Sequence, residues 1–264
     1  MTCPLCNSTR VKQVLTQSEW AIKACQICTN AWTVPAPTII EYDQADFHGA
    51  TVDSDVQVSL KTVTDLPDEW RKSVLMQSQL LARHLKPGAS VLEIGCSEGI
   101  LLSEISNLGF NVKGIEPSMA GSKRARRKGL DVVTGYFPNL AITGQFDAVI
   151  LSHVLEHVSQ PFEMLSEVIA KIAPQGYLLL VQANYQGAIP KLYKEKWYAW
   201  SVHEHYWHFT PEGLKGITRQ LKLHTVECEF SSLVHWGRVV RILQKAAGFI
   251  PKIHDQFHLL LQKS

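Results

Sequence analysis

The sequence predicts an α/β protein, a mostly parallel sheet covered by helices on both faces, with a small cysteine-built module in front of it. Three observations carry that expectation. From residue 71 onward, short apolar runs alternate with amphipathic segments, the pattern of parallel crossover units. The runs themselves are apolar enough for strands buried on both faces. Ahead of them, four of the six cysteines fall as Cys3-x2-Cys6 and Cys25-x2-Cys28.

Each CxxC turn presents two thiolates on one side of a tight bend, and two such turns complete a tetrahedron around Zn²⁺. Between them "STRVKQVLTQSEWAIKA" alternates as the hairpin of a ribbon does. Residues 1–34 are therefore expected to form a zinc ribbon. With Cys3, Cys6, Cys25 and Cys28 as its four ligands, the ion is structural, because no coordination position is left for a substrate. Residues 35–70, with turn signals at His48-Gly49 and Leu66-Pro67, read as a linker with helical pieces lying over the main domain. "RKSVLMQSQLLARHL" then has helical periodicity and is closed by Pro87-Gly88.

The crossover units follow in order: strand "SVLEIG", helix "ILLSEISNLG", strand "NVKGIE", helix "SMAGSKRARRKG", strand "LDVVTG", strand "FDAVILS", helix "PFEMLSEVIAKIAP", strand "GYLLLVQA". Beyond them "TPEGLKGITRQL" predicts a helix, "KLHTVECEF" a strand, "GRVVRILQKAAG" a helix and "HDQFHLLLQ" a closing strand. Cys228, within one of these strands, reads as a small buried hydrophobe.

Bulk properties narrow the function. Hydrophobic residues make up 45% and charged residues 19% of the 264, and the formal net charge is only +2. Such a balance lacks the electrostatic footprint of a nucleic-acid or membrane-surface binder. No run approaches the 18 or more apolar residues of a membrane span, and "MTCPLCNSTR" lacks the apolar core of a secretory signal. The expected compartment is cytoplasmic, where cysteines serve as thiols or metal ligands.

At the first crossover, "VLEIGCSEGI" brings a buried strand, Glu93, then Gly95 and Gly99 ahead of a helix. The glycines permit a sharp turn and close approach of a ligand, and the helix N-terminus offers free amides. Neither a P-loop nor a Gly-x-Gly-x-x-Gly spacing is present, and Glu93 and Glu98 would repel a pyrophosphate while welcoming a cation. Glu116 ends the next strand, 23 residues after Glu93, where an acidic side chain can accept hydrogen bonds from a ribose diol. A cationic adenosine without phosphates fits this arrangement.

Over residues 71–264 the sequence resembles the class I S-adenosylmethionine-dependent methyltransferases. The matching pieces are "VLEIGCSEG", "GIEPS" and "FDAVILSHVLEHVSQPFEMLSEVIAKIAPQGYLLLVQAN". The resemblance implies a Rossmann-like seven-stranded methyltransferase sheet with S-adenosyl-L-methionine as cofactor. It assigns the methionine end to Glu93, the loop to Gly95, Cys96, Ser97 and Gly99, and the ribose to Glu116 beside Pro117. Ser152 and His153, after the fourth strand, would flank the methionine portion. The sequence departs from the family at Ser97, which replaces the central glycine, and at Tyr136, where many relatives carry an acidic residue near the adenine. Tyr136 or Phe137 can stack on the adenine instead.

The stretch "SVHEHYWHFT", residues 201–210, follows the fifth strand, where substrate loops gather in open α/β sheets. It reads as an acceptor pocket, a base with apolar walls, and equally as a cluster of packed histidines. A ribbon ahead of the domain and a His-Glu-His after the fifth strand also resemble the nucleotide-sugar C-methyltransferases. That narrower resemblance assigns acid/base work to Glu204 and His205, with His203 beside them; the sequence stops at Ser264, before the C-terminal domain of those enzymes. A second metal site collected from His153, Glu156, His157 and this stretch is permitted by the spacing, but the relatives need none.

The expected function is methyl transfer to a hydroxyl or carbon of a small, sugar-like or natural-product acceptor. An RNA methyltransferase using the ribbon and "KRARRKG" is the first alternative; near-neutral charge and "LSHV" in place of an Asn-Pro-Pro-Tyr motif count against it. A non-catalytic cofactor-binding scaffold is the second, and the nearly intact glycine loop counts against that.

Overall fold

The computed structural model describes residues 1–38, 62–140, 142–233 and 254–264. The predicted helix at "GRVVRILQKAAG" and most of the 35–70 linker lie outside the described residues.

Three strands build the N-terminal module: β1 (Val11–Gln17), β2 (Trp20–Cys25) and β3 (Ala31–Val34). The hairpin pairs antiparallel from Val11 opposite Cys25 to Gln17 opposite Trp20, and β3 adds antiparallel to β2.

The main domain begins with α1 (Asp68–His84), which buries Val74, Leu80 and Leu81. Its sheet comprises β4 (Ser90–Ile94), β5 (Asn111–Glu116), β6 (Val132–Thr134), β7 (Phe146–Ser152) and β8 (Ile172–Ala183). A short strand β9 (Trp207–His208) follows, then β10 (Leu223–Ser231) and β11 (Gln256–Lys263). The helices are α2 (Ile100–Asn107), α3 (Met119–Arg127), α4 (Pro161–Ala170), α5 (Ala188–Tyr193) and α6 (Pro211–Gln220). The predicted α4 helix is four residues shorter at its C-terminus, because Ile172 already belongs to β8.

Among the described residues the main sheet runs β10-β11-β8-β7-β4-β5-β6. β6, β5, β4, β7 and β8 are mutually parallel, and β11 inserts antiparallel between β8 and β10. The central strands are fully buried, which is why "AVIL" and "LLLV" are apolar at every position: Ala148, Ile150, Leu179 and Val181 face one apolar layer with α1 and α2, and Val149, Leu151, Leu178 and Leu180 face the other with α4 and α6. Strand order reverses on either side of β4, and a crevice opens at the carboxyl ends of strands at such a switch point. No helix among the described residues is long and apolar enough to cross a membrane.

The module is not a free appendage. β9 pairs antiparallel with β3, Ala31 opposite His208 and Trp32 opposite Trp207, so a four-stranded sheet β1-β2-β3-β9 joins it to the segment after β8. Tyr185, Trp197, Trp200 and Val202 pack on Ile22, Ala24 and Ala31 of the module. Tyr185, Trp197 and Trp200, the aromatics ahead of the histidine stretch, fill this junction. They lie there because the module's inner strand face is apolar and needs a partner.

Candidate active site

The turn after β4 is held open by backbone geometry. Gly95, Ser97 and Gly99 all have left-handed φ, at 77°, 50° and 74°. A Cβ at Gly95 would stand 2.5 Å from Val154 Cγ2, and one at Gly99 the same distance from Leu130 Cδ1. Gly99 caps α2, so the first amides of that helix face the turn.

Two buried carboxylates flank the turn, Glu93 at 4% and Glu116 at 7% exposure. Glu116 accepts from the Ser97 amide at 2.7 Å through Oε2 and from the Ser118 amide at 2.8 Å through Oε1. Each oxygen keeps a further lone pair. Glu93 Oε2 has no hydrogen-bond partner. Burial, and then the charge of Glu116, push the Glu93 carboxyl up to about 8. The Cys96 side chain turns away from the crevice into a small apolar cluster with Leu102, Ala125 and Val132, and burial raises its thiol strongly. It contributes backbone, not a reactive sulfur. Arg126 of α3 donates to the Val132 carbonyl and Lys128, just past the helix, to the Glu98 carbonyl, so two charges of "KRARRKG" are spent inside the fold.

β7 delivers Ser152 and His153 to the rim of the same crevice, with His153 at a φ of 55°. A hydrogen-bond chain fixes the His153 ring. Ser231 and Ser73 hydroxyls donate to Gln256 Oε1 at 2.7 and 2.9 Å, which leaves the Gln256 amide to donate to His153 Nε2. His153 Nδ1–H then donates to Glu156 Oε1 at 3.2 Å. Behind them, His258 Nε2 donates to Ser231 Oγ at 2.8 Å. The Trp70 ring, 44% exposed, lies 6.5 Å from that of His153. Ser73, Gln256, Ser231 and Trp70 went unmarked in the sequence. Gln256 and His258 interrupting the apolar "QFHLLL" run were the one visible signal.

The histidine stretch divides. His205 reaches the rim: its ring is 4.7 Å from that of His157, and a donor atom each from Glu156, His157 and His205 lie within 4.8 Å of one another. Its Nδ1–H donates to the Ala199 carbonyl at 3.0 Å. Burial pulls the His205 imidazole down to about 4, against the upward pull of Glu156. Glu156 is held well below the usual carboxylate range: burial raises it, but the His153 hydrogen bond and the charges of His153, His157 and His205 outweigh that. His203 and Glu204 do not join this group. His203 stands edge-on to Trp20 of β2 at 4.4 Å, and Glu204 accepts from Ser201 Oγ at 3.4 Å. Residues 202–204 form a turn, with the Glu204 and His205 amides both donating to the Ser201 carbonyl at 2.9 Å, so the three side chains of His-Glu-His do not share one face. His208 is buried, its Nε2 donating to Thr33 Oγ1 at 3.1 Å. Tyr136 is exposed beside the Gly135 turn, and Phe137 packs into the core.

In the module, Cys3 Sγ and Cys28 Sγ are 3.6 Å apart, Cys6 Sγ and Cys25 Sγ 3.5 Å, and all four lie within 4.8 Å of one another. Thiolates at ~2.3 Å from one zinc are about 3.8 Å apart at the corners of a tetrahedron. The Ile27 and Cys28 amides donate to Cys25 Sγ at 3.3 and 3.4 Å.

A doubly wound sheet with one antiparallel strand inserted near its edge, a glycine turn at its switch point and acidic side chains ending its first two strands define a Rossmann-like class with methyltransferase architecture. Residues 65–227 match the methyltransferase domain family, and the chain belongs to it. Ubiquinone biosynthesis O-methyltransferases are similar: one from Caulobacter vibrioides is 32% identical over 127 residues, 41% of this chain and 50% of that protein. The mitochondrial one from Schizosaccharomyces pombe is 30% identical over 107 residues, 37% and 39% of the two chains. The chain thus spans about half the length, or less, of these curated relatives. Among solved structures, 1,6-didemethyltoxoflavin-N1-methyltransferase from Burkholderia thailandensis, holding its substrate and S-adenosylhomocysteine, shares the fold over 96% of this chain and 99% of its own, with a TM-score of 0.58 at 16% identity. Magnesium protoporphyrin IX methyltransferase from Synechocystis does so over 73% and 83%, with a TM-score of 0.56 at 17% identity.

Proposed function

We propose that the protein is an S-adenosylmethionine-dependent methyltransferase acting on a hydroxyl or carbon of a small-molecule acceptor. The observation that carries this reading is the buried Glu93 carboxylate oxygen with no partner, at the end of β4 and beside a turn kept clear of Cβ atoms. A buried carboxylate without a partner is costly, and a cationic ligand group supplies the missing one. The residues present therefore fit the cofactor. Glu93 serves its ammonium end, Glu116 its ribose hydroxyls, the amides at Gly95, Ser97 and Gly99 its contour, and Ser152 and His153 flank its sulfur. Bound there, the cofactor supplies an electrophilic methyl group on a sulfonium.

The chain's own residues hold the acceptor in line with that methyl group and handle the acceptor's proton. That task falls to His205 with Glu156 and His157, in place of Glu204 and His203. The curated relatives named as O-methyltransferases favour an oxygen acceptor. The four cysteines hold one structural zinc, which fixes the register of the module. Calorimetry with S-adenosylmethionine and S-adenosylhomocysteine tests the reading: micromolar binding is expected, weakened by at least tenfold in Glu93→Gln. No heat with either ligand on folded protein removes it.

A further inference from the structure

We propose that Gln256 is a positioning residue that locks the His153 ring in its neutral Nδ1–H form, and that this lock sets the preference for a cationic methyl donor over its neutral product. The lock stands on geometry alone; the preference rests on the methyl-transfer reading above, which puts His153 beside the donor's sulfur.

The direction of the hydrogen bonds around Gln256 is fixed from outside. On α1 the Gln77 side-chain amide donates to Ser73 Oγ at 3.3 Å, so the Ser73 hydroxyl directs its own proton to Gln256 Oε1. On β11, His258 Nδ1 is buried with no partner, and Nε2 carries the ring's proton to Ser231 Oγ. The Ser231 hydroxyl then turns to the same Gln256 oxygen. With two hydroxyls on that oxygen, Gln256 presents its NH2 end to His153. Nε2 of His153 therefore holds a lone pair, and the ring's single proton sits on Nδ1, facing Glu156 Oε1 at 3.2 Å. Ser73, Gln77, Ser231, Gln256 and His258 are all buried, which keeps bulk solvent from reorienting the amide.

With both nitrogens engaged, His153 has no free donor or base to offer a substrate. What it contributes beside a sulfonium is its charge state. A neutral ring leaves the His153–Glu156 pair with the full negative charge of the carboxylate, which attracts the donor and does nothing for the uncharged thioether product. A second proton on the ring would cancel that charge and set a cation against the sulfonium in a site of low dielectric. The neighbours of the ring do not change charge near neutral pH. Glu156, after β7, is held well below the usual carboxylate range; His205, after β8, and His258, on β11, are lowered by burial to about 4 and about 3. From α1 the ring meets the uncharged Trp70. His157 adjoins Glu156 and acts alike with or without the Gln256 amide.

The test compares full-length wild type with Gln256→Met, which keeps the side chain's length and removes the amide; thermal unfolding checks both. NMR of ¹⁵N-labelled imidazoles without cofactor should show wild-type His153 with one proton, on Nδ1, from pH 8 to pH 5.5. The variant's ring should gain a second proton on acidification, as an ordinary imidazole does near ~6.5. Calorimetry with S-adenosylmethionine and S-adenosylhomocysteine then gives the donor-to-product affinity ratio. Glu93 acts on the ammonium common to both ligands, so its own pH dependence cancels. At pH 5.5 the ratio should be lower in the variant by ~10-fold or more, and at pH 8 the two proteins should agree. A wild-type ring that takes a second proton in this range overturns the proposal, and that measurement does not depend on the variant's folding. Equal ratios in both proteins at pH 5.5 overturn it as well. A locked ring in protein that binds neither ligand keeps the lock, and removes both the preference and the methyl-transfer reading.

Discussion

Glu93 holds its carboxyl protonated at neutral pH in the free protein, because burial and Glu116 push it up to about 8. A cationic ligand favours the ionised form, so binding at pH 7 should release a proton. Affinity for the methyl donor should then rise with pH, by up to about tenfold per unit, and level off near 8. Calorimetry in buffers of different ionisation enthalpy measures that proton, and Glu93→Gln should abolish its release. For folding the sign is the reverse: the folded value lies above the ordinary 4.5, so stability is undiminished below 4.5 and is lost as pH rises through 8. A second substitution series separates members of the histidine stretch. His205→Ala should lower turnover by ~10²-fold or more with donor affinity retained. Glu204→Ala should leave turnover near that of the wild type, since its carboxylate accepts from Ser201 and stands outside the group of Glu156, His157 and His205. Equal losses in both variants would return Glu204 to the site.

At the scale of elements, the consequential one is the pairing of β3 with β9. Thr33 donates to the His205 carbonyl at 2.7 Å through its hydroxyl and to the Tyr206 carbonyl at 3.0 Å through its amide, so the module grips the backbone on which His205 sits. The Tyr185 hydroxyl donates to the Thr29 carbonyl at 2.6 Å, and the Thr210 amide to Asn30 Oδ1 at 3.4 Å, which extends the grip on both sides. Thr33→Val keeps the shape and removes the hydroxyl; it should cost about 1–2 kcal/mol of stability and lower kcat with the donor's KM unchanged. Stripping zinc with a chelator should have the same signature: donor affinity survives, because β4 and β5 lie in the other sheet, while turnover falls. A loss of both together would mean that the module supports the whole domain.

For the molecule as a whole, acid stability is set by imidazoles buried in neutral form. His258, inside β11, is fully buried, and burial lowers it to about 3; His208 is lowered likewise. Both folded values lie below the ordinary 6.5, so the stability they allow is complete above 6.5 and lost as pH falls toward the folded values. Thermal melts between pH 4 and 8 should show that decline, and His258→Gln should flatten part of it. The succession of strands and helices along the chain and the glycine turn were legible in the sequence because both are local: buried strands are apolar runs, and the turn is five residues long. The partner of His205 was not. "HEH" offers Glu204 by adjacency, whereas Glu156 arrives from a different strand end by a fold-level contact that no spacing encodes. A two-residue strand such as Trp207–His208 carries no periodicity at all. Its lateness in the chain matters during synthesis. The cysteine module can fold as soon as it leaves the ribosome, yet the outer edge of β3 must wait for roughly 170 more residues, about nine to thirty-five seconds at ordinary elongation rates. For that interval the nascent chain carries an uncapped strand, a template for pairing with its neighbours on a polysome, so a message truncated before codon 207 should yield aggregates instead of a free, soluble ribbon.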